Sequence, residues 1–381
     1  MNYSLRPNDT HGPMAAVADL RPRQLMGRWK AMILPVPHIS AIPAHPLVPV
    51  PEGEISLAAT TSSSPPAPVV ARAVAAVLAR PAQAPDPENT RLTTALAAEH
   101  ALMPDRILCA TGSYDLLQAV LYAFADEENA VLATENCPPH FKTACQLTRA
   151  PFRLAEESGY TVSVDVLLEQ VRMDTRIVLI SNPGNPTGTL LPLGEITRLR
   201  DKLRDDILLV VDESFVDFAG VADASALPLV SRENTVILRS LTEVCGLQAL
   251  PAGWAYAPTA IVAEMRKALP PYPLSVTAEA AATAALMDRA YLQQTRWRIR
   301  ERRTRIATQL RDMGFAVPDS ATNFLLVPFA SMKEALRADE ILRAEGLVTL
   351  TQPTARLPHC LRIRVADDAV MARVVACLEG V

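Results

Sequence analysis

One local event recurs along this chain and limits what it can fold into: a short apolar run stops at a small or polar residue and gives way to a turn. Its clearest instance is 177–188, IVLISNPGNPTG, where a run of buried-strand character breaks into Pro and Gly and can continue neither as strand nor as helix. The event repeats at 107–111 before Gly112 and Ser113, at 130–134, at 207–211 before Asp212, and at 235–239 before Ser240. Between the runs lie stretches with apolar residues at helical spacing, such as Leu116, Leu117, Val120, Leu121 and Phe124. Strands alternating with helices predict an α/β chain with a doubly wound, mostly parallel sheet, whose ligands bind beyond the carboxyl ends of the strands. The ends at 111–113, 181–185, 212 and 240–242 are therefore predicted to converge on one pocket.

Each residue at those ends has a plain reading beside its functional one. Asn182 and Asn185 sit in Asn-Pro pairs, which are ordinary turn chemistry, and become candidate ligand donors only through their place at a strand end. Gly112 and Ser113 open a helix whose free N–H groups and dipole form an anion cradle, although Ser113 reads equally as an N-cap. Asp212 follows five apolar residues and needs a partner if buried. In ENCPPHFKTA, His140 is either a solvent-satisfied loop histidine or a group that stacks on, or charges against, an anionic ligand.

Length and composition bound the rest. A chain of 381 residues, 49% hydrophobic and 20% charged, can bury one large core or a large and a small one. Residues 1–50 are proline-rich and read as an arm, 51–275 as a large domain, and 276–381 as a smaller α+β domain with strands predicted at 323–327, 347–350 and 360–365. A net charge of −4 without a basic patch points away from nucleic acid and from a membrane surface, and no run of apolar residues is long enough to span a bilayer. Six cysteines are scattered singly, which predicts neither a disulfide framework nor a metal site and makes the cytoplasm the default location.

The order and spacing of SNPGNPTG, LLVVDESF (208–215) and VILRSLTEVCGLQALPAGWAY (236–256) resemble the class I/II aminotransferases of fold type I. The chain is most similar to histidinol-phosphate aminotransferases and threonine-phosphate decarboxylases, over roughly residues 50–370. The resemblance implies a homodimer and a pyridoxal phosphate (PLP) site. Asp212 would face the ring nitrogen, His140 would occupy the stacking position, and Gly112, Ser113, Asn185, Ser240 and Thr242 would surround the cofactor. Arg362, with Asn323 and Asn182, would hold the substrate, the arginine clamping its carboxylate.

Four positions depart from that pattern. Where the family reads S-x-S-K and then an arginine eight residues later, this chain reads Ser240, Leu241, Thr242, Glu243 and then Pro251; Ala84 and Phe215 stand where tyrosines are usual. The change removes two charge units at position 243 and one at 251, beside a cofactor phosphate that carries about −1.5 to −2 near neutral pH. A Schiff base through position 243 is impossible. Only Lys30, Lys142, Lys202, Lys267 and Lys333 exist to replace the amine, with Lys142 nearest the stacking segment. Ordinary transamination is therefore not expected. The pocket is expected to bind a small carboxylate-bearing ligand, with Glu243, Asp212 and His140 as acid/base groups and PLP absent or held noncovalently. Two alternatives stand: an inert partner or sensor subunit, and a noncovalent PLP or pyridoxamine phosphate (PMP) enzyme catalysing elimination or dehydration with Glu243 as the base.

Overall fold

The most apolar runs of the chain form one sheet. In the computed structural model, which describes residues 33–44, 48–80 and 84–381, seven strands pair side by side. They are β1 (Ile107–Ala110), β2 (Ala130–Thr134), β3 (Phe152–Ala155), β4 (Thr175–Ser181), β5 (Leu208–Asp212), β6 (Thr235–Ser240) and β7 (Gly253–Tyr256). Their spatial order is β3-β2-β4-β5-β6-β7-β1; β3 through β6 run parallel, and β7 is antiparallel to both β6 and β1. Central strands such as β5 are buried at every residue, as a sheet covered on both faces requires.

Helices α1 (Pro68–Leu78), α2 (Thr90–His100), α3 (Ser113–Phe124), α4 (Pro139–Thr148), α5 (Leu193–Lys202), α6 (Thr259–Ala268) and α7 (Val276–Met287) supply that cover. The strand period of two sorts the core into two layers. Val178, Ile180, Leu209, Val211 and Trp254 pack with residues of α1, α2, α5 and α7, whereas Ile177, Leu179, Leu208, Val210 and Leu238 pack with residues of α3, α4 and α6.

Beyond the sheet come α8 (Arg289–Asp312), β8 (Phe324–Pro328), α9 (Met332–Ala344), β9 (Leu350–Thr351), β10 (Cys360–Arg364) and α10 (Asp368–Leu378). β8, β10 and β9 make a small antiparallel sheet with its own apolar cluster, and Leu57 is buried in that cluster. Ile55–Ser56 pairs in parallel with Leu347–Val348, so residues 55–57, assigned on sequence to the large domain, pack with the C-terminal layer. Residues 45–381 form one compact unit; 33–44 belong to another and hold a single helical turn, Pro37–Ser40. Most of the arm predicted at 1–50 lies outside the described residues.

Three features differ from the sequence reading. β3 and β7 were not predicted: FRLA carries a charge, and GWAY opens on a glycine, so neither has the run of β-branched residues that marks a strand. The strand predicted at 347–350 is two, because at buried Thr349 the chain changes partners while the hydroxyl donates to Asp339 Oδ1 at 2.5 Å. His140 lies in the first turn of α4 rather than in a loop; the prolines of PPHF sit where a helix start tolerates them.

Candidate functional site

Strand register brings the predicted turns together. Gly253 of β7 pairs with Ala110 on one side and Ser240 on the other, so the turns leaving β1 and β6 flank the entry of β7. A Cβ at Gly253 would lie 2.5 Å from the Gly112 carbonyl carbon and 2.7 Å from the Ser113 nitrogen, so glycine is what lets β7 approach the start of α3 so closely. Gly112 itself has φ +98 and precedes α3 without a side-chain cap, leaving the helix's first N–H groups open to the edge.

Ser113 therefore does not act as the N-cap. Its hydroxyl is 2.9 Å from Ser214 Oγ, which is 2.5 Å from Asp212 Oδ1. The Ser214 backbone N–H also donates to that oxygen at 3.0 Å. This hydroxyl chain ties the end of β5 to the mouth of α3. Asp212 is 5% exposed, and burial pushes its carboxyl up against the lowering effect of the Ser214 bonds. Ser214 was missed on sequence; a hydroxyl two residues beyond a strand-end aspartate was the available signal.

The two asparagines of the β4 turn have different roles. Asn182 Nδ2 donates to the Leu191 carbonyl at 3.0 Å, and its Oδ1 accepts from the Leu191 N–H at 2.8 Å, so the side chain staples the turn. Asn185 Oδ1 accepts from Arg362 Nη1 at 2.7 Å. Arg362 also donates to the Ala58 carbonyl and lies over the Phe324 ring at 5.1 Å. Phe215 meets the same ring edge-on at 5.2 Å, so its phenyl is a packing element. Burial lowers the Arg362 guanidinium to about 10, still charged at neutral pH, and no carboxylate is within ion-pair distance among the described residues. Asn323 is 2% exposed; its Nδ2 donates to the Thr60 carbonyl at 2.9 Å, while its Oδ1 has no partner among the described residues.

Glu243 stands in the single helical turn Thr242–Cys245 after β6, closed by Gly246 at φ +70. Thr242 Oγ1 accepts from the Ala252 N–H at 3.3 Å, and Ser240 Oγ accepts from the Thr242 N–H at 3.2 Å, which fixes this turn on β7. Glu243 Oε2 is buried without a hydrogen-bond partner among the described residues. Burial pushes this carboxyl up to about 7; the Ser240 hydroxyl opposes the shift, and Asp212 and Asp217 add to it. His140 meets Tyr114, which follows Ser113 at the start of α3, edge-on at 5.4 Å. Lys142, Lys202, Lys267 and Lys333 are all exposed, and Ala84 is exposed as well.

The site thus gathers, at one sheet edge, an open helix N-terminus, buried carboxyls and a buried arginine, on an α/β sheet with a small antiparallel layer. That is a fold type I aminotransferase architecture. The sequence profile of aminotransferase class I and II matches residues 54–378, and the chain belongs to this family. It is 33% identical over 326 residues to the histidinol-phosphate aminotransferase of Ruegeria pomeroyi, covering 86% of this chain and 90% of that one. It is 35% identical over 298 residues to that of Rhodospirillum rubrum, covering 77% and 81%. The crystal structure of histidinol-phosphate aminotransferase from Sinorhizobium meliloti in complex with pyridoxal-5'-phosphate superposes with a TM-score of 0.84 at 25% identity, over 92% of this chain and 98% of that one. A Thermus thermophilus aspartate aminotransferase mutant shares the fold, with a TM-score of 0.80 at 17% identity over 92% and 100%.

Proposed function

We propose that this aminotransferase-family chain binds a small amino-acid-like carboxylate noncovalently, without a lysine linkage to pyridoxal phosphate. The observation that carries the reading is Glu243, a half-buried carboxyl whose Oε2 is enclosed without a hydrogen-bond partner among the described residues, in the turn where the family resemblance would put a lysine. The residues do not fit a covalently held pyridoxal, because the four described lysines are exposed and Pro251 cannot donate to a phosphate. Arg362 uses two of its donors on Asn185 and Ala58, leaving others for a ligand carboxylate. The ligand's ammonium group pairs with Glu243, which holds or releases a proton near neutral pH. Asp212 and His140 complete the acid/base set, and the family likeness supports a cytoplasmic homodimer.

The test incubates the protein with PLP, reduces it with borohydride and maps any adduct by mass, alongside calorimetric titration with a panel of L-amino acids. Saturable binding of an amino acid, lost in Arg362→Gln, together with no lysine adduct, is the expected result. A reduced adduct on any lysine would sink the proposal. The retained Asp212–Ser214–Ser113 chain and open α3 N-terminus favour a second reading, in which PLP or PMP is retained without a covalent link and Glu243 is the base of an elimination or dehydration.

A further inference from the structure

A cavity of about 660 Å³ opens between the end of α2, the loop at 216–225 and α8, and none of the candidate-site residues lines it. Its size is that of a small-molecule pocket. Its charges do not cancel. Arg239 Nε donates to Glu213 Oε2 at 3.0 Å, and Asp217 accepts from Arg296 and lies 3.9 Å from Arg239, so these four groups balance. Burial, then Arg239, pushes His100 down to about 4, leaving the ring neutral near pH 7. Glu99 on the wall is matched by Arg289 at 2.7 Å.

Arg300 is the surplus. Its Nη1 donates to the Gly220 carbonyl at 3.3 Å, and no carboxylate lies within ion-pair distance of it among the described residues. Gly220, at φ +77, makes this possible, since a Cβ there would overlap the Arg300 side chain. One turn away, Arg296 Nε is buried without an acceptor among the described residues. Trp297, three residues before Arg300 on α8, lines the same cavity with 59% of its surface exposed, and Val221 on the loop is 57% exposed, so the charged floor has an apolar rim.

We infer that this cavity is a second ligand site, for a small monoanion with an aromatic body, its carboxylate on Arg300 and its ring against Trp297. An exposed indole beside guanidinium groups suits an arylcarboxylate better than a bare inorganic anion. The test titrates the full chain with benzoate and, separately, with inorganic phosphate, followed by calorimetry and by tryptophan emission. Benzoate is expected to saturate one site and to quench emission. Arg300→Gln is expected to weaken it at least about tenfold, the scale of a lost charge-assisted hydrogen bond. Gly220→Ala, which displaces Arg300 without removing its charge, and Trp297→Ala should weaken it too, whereas Arg362→Gln should leave it unchanged. Absence of saturation at millimolar benzoate overturns the inference. So does a loss that follows Arg362→Gln and not Arg300→Gln, which would assign the binding to the other pocket. Phosphate binding equal to benzoate and indifferent to Trp297→Ala would overturn the aromatic class.

Discussion

Replacing Glu243 by Gln should alter how stability depends on pH, and the size of the change follows from where the carboxyl lies. Burial raises its pKa from 4.5 to about 7 in the folded chain. Between those values the folded state holds a proton that the unfolded chain has released. The protonated carboxyl thus contributes fully below the unfolded value, and its contribution is lost as pH rises through about 7. From about pH 5 to about pH 8 the native chain should lose roughly 2 to 3 kcal/mol through this one group, given ~1.4 kcal/mol per pKa unit and partial titration at the lower end. Gln cannot ionise, so Glu243→Gln should lack this loss and gain on the native chain as pH rises. Urea unfolding of both proteins, followed by circular dichroism at several pH values, measures the difference directly. Parallel stability curves, with a gap constant to within about 0.5 kcal/mol, would refute the claim that position 243 is a desolvated carboxyl.

The same group sets a binding profile: if Glu243 must be ionised to hold an ammonium ligand, calorimetric affinity should fall about tenfold from pH 8 to pH 6. Arg362→Gln should reduce carboxylate binding by about ten- to a hundredfold in the same assay, with little effect on ligands that lack the carboxylate. Asn182→Ala leaves the buried Leu191 N–H and carbonyl unpaired and should cost about 2 to 4 kcal/mol in chemical denaturation. Gly253→Ala, pressing a methyl on the Gly112 backbone, should cost about 1 to 3 kcal/mol and weaken anion binding at the α3 N-terminus together with stability.

What could be read in the sequence was what short-range pattern carries. β4, β5 and β6 announce themselves as apolar runs, and the turns after them were identified because Asn, Asp and Ser end those runs abruptly. The class I/II family was legible in the same motifs. β7 was hidden because its meaning is tertiary: Gly253 is a glycine on account of Gly112, which is far from it in the chain. The division of labour between the asparagines was hidden for the same reason. Asn182 and Asn185 are each followed by proline, yet one meets the backbone of its own turn and the other an arginine from the small sheet. The cavity beside Trp297 draws on α2, the 216–225 loop, Arg239 of β6 and α8, four segments with no shared motif.

The insertion of β7 between β6 and β1 also governs the order in which the chain can become ordered. β1 is paired with β7 alone among the described strands, and the two are about 140 residues apart, so the first strand made has no partner until most of the sheet has been synthesised. Until then its polar edge is open and Leu108 and Cys109 lack the cover they have in the finished sheet. A chain interrupted before residue 253 would hold β2 to β6 as a five-stranded parallel block with the α3 anion cradle left outside it. The α3 wall of the pocket is thus set against the rest only once β7 joins β1 to β6.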